Sequence, residues 1–150
     1  SNCRVAADRG DRARGRREEI MRLSYLEDEE YPGQYALWRA NCARSMRGRR
    51  GQASLRALKD ALLALPAKRL IAHKMQDETG AVCAIGALSR QKGLLSDHDS
   101  DNTTVAVGER CGLPHLVSLQ VVIQNDVELA QCTEKQRYVH MLKWIEEQLH

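Results

Sequence analysis

Cys83 lies in the stretch DETGAVCAIGAL, residues 77–88, where it is the side chain best suited to covalent chemistry. A thiol becomes a nucleophile when its pKa is lowered, commonly at a helix N-terminus or beside a histidine. Gly80 and Gly86 flank Cys83 on a predicted passage from strand to helix, and His73 lies across the predicted turn. A thiol enzyme that uses Cys83 is therefore one hypothesis. Because its neighbours are small and apolar, we interpret Cys83 as a core residue.

Two groups of residues have some features of metal sites. Cys111 and His115 lie four residues apart, but Gly112 and Pro114 interrupt the helix between them, and zinc sites usually need a second pair of closely spaced ligands. The stretch SDHDSDN, residues 96–102, alternates acids as calcium loops do, but it lacks their glycine at the sixth place and their glutamate at the twelfth. The sequence therefore predicts no metal site, and we expect no cofactor.

Residues 104–124 have the spacing of a helix-turn-helix segment. Gly108 is followed by Gly112 in a short turn and then by Val121, nine residues further on. In DNA-binding proteins this arrangement presents the second helix to the major groove. The predicted second helix, residues 116–129, contains no Lys or Arg, so it lacks attraction for phosphate. We favour a simple helix pair and keep a nucleic-acid-binding regulator as an alternative.

Arginines form the most prominent charged groups of the chain. One group lies in the stretch RSMRGRRG, and a second lies near the N-terminus. Guanidinium groups bind carboxylates and phosphates equally well, whereas RNA binders usually add exposed aromatic side chains for stacking, of which this chain has few. We predict the first group as the partner-binding residues, with either an acidic protein surface or nucleic acid as the partner. The first group is Arg44, Arg47, Arg49 and Arg50, and the second is Arg12, Arg14, Arg16 and Arg17.

Apolar residues at helical spacing predict the elements that position these arginines. A first stripe predicts a helix that ends at Gly48, and a second stripe predicts a helix that ends before Pro66. The two helices should form an antiparallel pair joined by the arginine-rich turn. The first stripe is Tyr35, Trp38, Cys42 and Met46, and the second is Leu55, Leu58, Leu62, Leu63 and Leu65.

The rest of the chain is predicted as a hairpin followed by helices. Two short runs around a glycine-containing turn predict a β-hairpin near residues 69–84, and helical spacing resumes at Ile85. Three further helices follow: one capped by Thr103 or Thr104, one with Pro114 in its first turn and one that begins at Thr133. Thr133 and Gln136 have the spacing of a capping box.

These elements predict a mainly α (α+β) fold, a compact bundle of about five or six helices with one small β-hairpin. Residues 1–33 should form a flexible, Arg-rich N-terminal extension, because they carry little apolar periodicity. Residues 34–150 should form a single compact helical domain, since 150 residues with 43% apolar side chains suffice for one core. Phe is absent, so that core must be aliphatic.

Charge and cysteine usage indicate the setting. The net charge of +3 is divided unevenly, with +4 in residues 1–50, +2 in residues 51–100 and −3 in residues 101–150, which favours a partner bound through one face. Five widely spaced cysteines without a C-x-x-C pair do not indicate a disulfide scaffold, and no long apolar run is present. We expect a cytoplasmic protein with free thiols that binds no membrane.

Three stretches occur in order over residues 35–150: the Trp-Arg-x-Asn helix with the Lys-Arg-Leu-Ile run after it, the segment GAVCAIGAL and the Trp-bearing terminal helix EKQRYVHMLKWIEEQL. Together they resemble small uncharacterised proteins encoded by phages and prophages of Proteobacteria. The resemblance implies a phage-type setting and brings no activity with it. The N-terminal arginine-rich extension departs from the pattern.

We therefore expect an accessory protein that acts by binding a host or phage macromolecule, an interaction that could inhibit that partner. An enzyme needs convergent polar groups, and the sequence displays no such set, so an enzyme is the less favoured class. Whether the partner is protein or nucleic acid, and the oligomeric state, stay open at this point.

Overall fold

The structure, a computed structural model, describes residues 33–95 and 104–150. The N-terminal extension up to residue 32 and the acidic stretch SDHDSDN lie outside these residues. The described part is mainly helical, as predicted, with six α-helices and one π-helical turn. The helices are α1 Gln34–Arg47, α2 Arg49–Leu63, α3 Ala84–Gln91, α4 Thr104–Arg110, α5 His115–Ile123 and α6 Glu134–Gln148, and the π-helical turn is Gln124–Glu128.

The first two helices follow each other with Gly48 alone between them. Gly48 is extended (φ −64°, ψ 164°), which ends the α1 backbone spiral. Its N–H donates to the carbonyl of Arg44 at 3.0 Å, and its carbonyl accepts from the N–H of Gln52 at 2.8 Å, so it closes one helix and opens the next. The two predicted helices are present and contact each other, but the predicted arginine-rich turn is a single residue, so the arginines belong to the helices themselves.

The core is aliphatic, as the composition predicts. α2 contributes Leu55, Leu58 and Leu62, which are fully buried and spaced along one face. α6 contributes Met141 and Ile145 to the same cluster, and α2 contacts both α3 and α6. Burial of each such side chain stabilises the fold by about 1.5–3 kcal/mol.

The predicted β-hairpin near residues 69–84 is wrong. The described residues contain no strand, and Gln76 and Val82 form a single isolated antiparallel bridge. His73 has a left-handed backbone (φ 67°), which interrupts an extended run. Its N–H donates to the carboxylate of Asp126 at 3.1 Å instead of to a neighbouring strand. The segment is therefore an irregular loop held by contacts to the π-helical turn.

α3 is the most enclosed helix, since its first six residues are all buried. Cys83 is its N-cap residue. A Cβ atom added to Gly86 would lie 2.3 Å from the carbonyl oxygen of Met75. A larger residue at this position would displace backbone, so the small residues of CAIGA permit the close packing that the sequence predicts.

α4 and α5 form a tightly crossing pair joined by residues 111–114. Gly112 takes a left-handed backbone (φ 99°) in this turn. A Cβ atom on Gly108 would lie 2.1 Å from the hydroxyl of Ser118, whose Oγ donates to the carbonyl of Val105 at 2.8 Å. The helix after Pro114 was predicted to extend to Leu129, but its α-helical part ends earlier and the π-helical turn completes it.

α6 begins with the predicted capping box. The Thr133 hydroxyl accepts the N–H of Gln136 at 3.2 Å, and the Gln136 side chain accepts the N–H of Thr133 at 3.0 Å. Both bonds satisfy donors that the helix start would otherwise leave unpaired. Within the ranges that the structure describes, no helix combines the length and apolar character that a bilayer crossing requires.

Candidate partner-binding surface

The four arginines predicted to bind the partner are all exposed, and we name them together the arginine surface. They lie within seven residues, two in the last turn of α1 and two in the first turn of α2. Among residues 33–95 and 104–150, none of the four forms an ion pair or a side-chain hydrogen bond. The surface consists of Arg44, Arg47, Arg49 and Arg50, all classed as exposed.

Gln52, which is buried, anchors the junction that carries the arginine surface. Its side-chain NH₂ donates to the carbonyls of Met46 and Gln148, both at 2.9 Å, and its side-chain oxygen accepts the N–H of His150 at 2.9 Å. One side chain thus joins the end of α1, the start of α2 and the end of α6. The side chain of Gln52 thus fixes the helix ends that carry the arginine surface.

The start of α2 also requires a glycine. A Cβ atom added to Gly51 would lie 1.9 Å from the carbonyl oxygen of Ser45, so the backbones of α1 and α2 approach closely there. This close approach holds both pairs of arginines at one end of the helix pair. Four arginines within a span of seven residues thus lie at one helix junction.

Helix dipoles act on the two halves of the arginine surface with opposite sign. Arg44 and Arg47 lie in the last turn of α1, where cations are stabilised. Arg49 and Arg50 lie in the first turn of α2, where cations are destabilised by about 0.3–1 kcal/mol each. This turn contains no acid, and its N-cap residue Gly48 supplies no side-chain bond. Folding therefore does not account for the two arginines at the start of α2.

Arg56 is a further member of the surface that sequence reasoning missed. It is exposed and lies seven residues, or two helical turns, after Arg49, so the two share one face of α2. The seven-residue spacing was the signal that could have found it. The charged area thus extends along α2 away from the junction.

Cys83 is placed as a core residue, and the effect of burial on its thiol outweighs that of its position at the start of α3. It is 3% exposed, and its sulfur accepts the N–H of Gly86 at 3.4 Å as the N-cap of α3. Burial, aided by the charge of Asp126, raises the pKa of the Cys83 thiol to about 12. A thiol that stays protonated at neutral pH is a poor nucleophile, so the geometry does not support the thiol-enzyme hypothesis.

The structure does not bring Cys111 and His115 together as ligands. Cys111 is buried, whereas the side chain of His115 is 58% exposed and its Nδ1 pairs with the carboxylate of Glu109. In the part of the chain that the structure describes, no three His, Cys, Asp or Glu side chains are arranged to hold a metal ion.

The α4–α5 pair has the predicted turn but lacks the chemistry of a DNA-reading helix. His115, at the start of α5, is the one residue of this helix that is classed as exposed. Val117, Ser118 and Val121 are buried against the rest of the domain, and α5 contains no Lys or Arg. α5 therefore packs against the rest of the domain and offers no Lys or Arg, and the exposed cation of the pair is Arg110 in the last turn of α4.

A buried arginine at the centre of the domain was not expected from the sequence. Arg137 is 5% exposed, and its guanidinium donates to four backbone carbonyls at 3.0–3.2 Å. Burial lowers its pKa, and no carboxylate among the described residues forms an ion pair with it. The four carbonyls belong to Leu70, Asn125, Leu129 and Cys132.

Asn125 completes the polar network from the π-helical turn. Its amide NH₂ donates to the carbonyl of Ile71 at 3.0 Å and to the carboxylate of Asp126 at 2.7 Å, and its oxygen accepts the N–H of Ala84 at 3.3 Å. Together with Arg137 it joins the irregular loop, α3, the π-helical turn and α6. This network is structural, because its donors are already directed at backbone carbonyls and at the carboxylate of Asp126.

Comparison with known proteins identified no family model, curated protein or solved structure that matches this chain.

Proposed function

We propose that this protein binds another macromolecule through the arginine surface and that its partner is a protein with an acidic surface. One observation carries the proposal: Arg49 and Arg50 occupy a helix start where cations reduce stability, and neither has an ionic partner within the described residues. Four exposed guanidinium groups on a fixed base suit bidentate contacts with carboxylates. The resemblance to phage and prophage proteins suggests an accessory role against a host or phage protein.

The distribution of aromatic side chains favours protein over single-stranded nucleic acid. Binding of single strands usually alternates cations with aromatic platforms. Tyr35, Trp38 and Trp144 are partly exposed, and the first two lie in the opening turns of α1, whereas the arginine surface starts in its last turn. Tyr35 and Trp38 thus lie apart from the arginine surface along α1, and the cation over the Tyr35 ring is Arg39, 5.9 Å from the ring centroid.

A nucleic-acid-binding regulator is the second candidate, on the basis of the α4–α5 pair. The four-residue turn and the close contact of Gly108 with Ser118 have the form of a helix-turn-helix. The absence of Lys and Arg from α5 weighs against it, because phosphate contacts supply most of the affinity for DNA.

Affinity capture from host lysate, with and without nuclease, separates the two candidates. The wild-type chain is compared with the triple variant Arg47→Glu, Arg49→Glu, Arg50→Glu. The control is a second triple variant with the same change in charge at exposed lysines of other regions. It carries Lys74→Glu, Lys92→Glu and Lys135→Glu.

We expect a discrete protein band that survives nuclease, persists in the lysine variant and disappears in the arginine variant. Loss of the band after nuclease, with retention of duplex DNA that falls steeply as salt rises, would move the assignment to the second candidate. Equal capture by all three proteins would reject the arginine surface as the contact.

A further inference from the structure

The exposed face of α2 is a single narrow stripe. Five of the six exposed residues of this helix recur at intervals of four and three residues, which places them along one side of it. The buried leucines of α2 lie on the opposite side, so the stripe faces away from the core. The five residues are Arg49, Ala53, Arg56, Asp60 and Leu63, and the sixth exposed residue is Arg50.

The stripe differs in charge between its two ends. Its N-terminal half carries Arg49 and Arg56, and neither forms an ion pair or a side-chain hydrogen bond with the rest of the described chain. Its C-terminal half carries Asp60, which is the one acid of α2, and then Leu63, which is 48% exposed. The stripe is therefore positive at one end and acidic and apolar at the other.

The spacing of the two arginines fits a helical partner better than an extended one. A rise of about 1.5 Å per residue separates Arg49 from Arg56 by about 10.5 Å along the helix axis. On a second helix, side chains seven residues apart lie on one face with the same separation. On an extended strand, side chains of one face lie about 6.6 or 13.2 Å apart, so two carboxylates of a strand do not match the two arginines.

Ala53, which lies between the two arginines on the stripe, permits close approach of another helix. Its side chain ends at the Cβ atom and is exposed, so the side chains of a second helix can pack against α2 at this point. The aliphatic stems of flanking arginines cover apolar surface in such contacts while their charged ends stay at the rim. An exposed alanine between two long cations thus provides a contact surface for an acidic helix.

We propose that the partner docks a helix along this stripe, antiparallel to α2, with two acids seven residues apart that contact Arg49 and Arg56. This inference rests on the proposed function and specifies which element of the partner is bound. The antiparallel orientation places the C-terminal carbonyls of the partner helix, which carry partial negative charge, near Arg49 and Arg50. It also places the positive N-terminal end of the partner helix near Asp60.

Synthetic helical peptides test the spacing and the orientation with a defined probe. The probe is a stapled, fluorescently labelled peptide of alanine and glutamine that matches the 15 residues of α2 in length and carries glutamates at its eighth and last positions. A control peptide of the same composition carries them nine residues apart, on opposite faces. By fluorescence anisotropy at low salt, the full-length chain should bind the probe about fivefold or more tightly than the control, and Arg49→Gln with Arg56→Gln should remove the difference. Equal affinity for both peptides, or binding of neither, would overturn the proposal, and tighter binding of a peptide with glutamates at its first and eighth positions would overturn the antiparallel orientation.

Substitution of Ala53 separates this inference from the proposed function. Ala53→Trp adds bulk at the proposed contact without a change in charge, and Ala67→Trp makes the same change at an exposed position outside α2. In capture from host lysate, Ala53→Trp should reduce the partner band about tenfold or more, and Ala67→Trp should leave it unchanged. If the triple arginine variant lost the band while Ala53→Trp kept it, the arginine surface would bind the partner without a helix along α2, and this inference would be wrong. If the triple arginine variant kept the band, the proposed function and this inference would both be rejected.

Discussion

Arg137 and the arginine surface use the same side chain in opposite ways. The guanidinium of Arg137 is buried and donates hydrogen bonds to four backbone carbonyls of the domain. The arginines at the α1–α2 junction are exposed, and none has an ionic partner among the described residues. The surroundings of an arginine, more than its presence, therefore decide whether it stabilises the fold or is available to bind a partner.

The energetic contrast follows from solvation. A buried guanidinium is tolerated only when hydrogen bonds replace the water it has lost, and removal of it leaves buried carbonyls without donors. Exposed cations contribute little to stability, and two of those at the junction oppose a helix dipole. Substitutions at Arg137 and at the arginine surface should therefore change the free energy of unfolding by different amounts, and even in opposite directions.

The largest effect is expected for Arg137→Leu. It leaves four carbonyls without their side-chain donor, so the free energy of unfolding should fall by about 3 kcal/mol or more. Arg56→Leu is the matched control, since Arg56 is exposed and should change stability by about 0.5 kcal/mol or less. Urea denaturation followed by circular dichroism measures both variants. If Arg137→Leu lowered the free energy of unfolding by less than about 1 kcal/mol, the stabilising role of Arg137 would be rejected.

Asn125→Ala should have the next largest effect. It removes the donor to Ile71 and the acceptor for Ala84 from a buried site, so we expect a loss of about 2 kcal/mol. Asn41→Ala on α1 provides the control, because Asn41 is half-buried outside the network and Ala is the better helix former. If both alanine variants had the same stability, the polar network would not be what holds the π-helical turn.

Alkaline pH should lower the stability of the protein through the buried thiol of Cys83. Its pKa is about 12 when folded but near 9.0 ordinarily, so the unfolded thiol ionises first and stability falls as pH rises from about 9 towards 12. Between pH 7.5 and pH 10 the wild type should lose on the order of 1 kcal/mol more than Cys83→Ser. The serine variant should fold well at pH 7.5, since serine is a favourable N-cap. Equal losses for the two proteins would contradict the buried, protonated thiol.

The helices could be predicted because their signals are local. The stripe of α2, the stop at Gly48 and the capping box of Thr133 each involve residues close in sequence. The β-hairpin was wrong because alternation alone does not reveal that the loop near His73 bonds to Asp126, 53 residues away.

The buried network was missed for a related reason, although a signal for it exists. Arg137 lies four and eight residues before Met141 and Ile145, so it occupies the apolar face of α6. A charged residue on an apolar helix face indicates that it has buried hydrogen-bond partners. The carbonyls that serve as these partners could be identified only from the folded chain. The arginine surface is exposed in the structure, and its role as a contact is a prediction.

Partner capture by Arg49→Glu with Arg50→Glu tests the central claim most directly. These arginines oppose the dipole of α2, so their replacement by acids should raise the free energy of unfolding by up to about 1 kcal/mol while capture of the partner from lysate falls at least tenfold. Loss of binding in a more stable protein would assign the two arginines to the contact. Capture at the wild-type level, or a loss of stability that accompanies the loss of binding, would contradict the account.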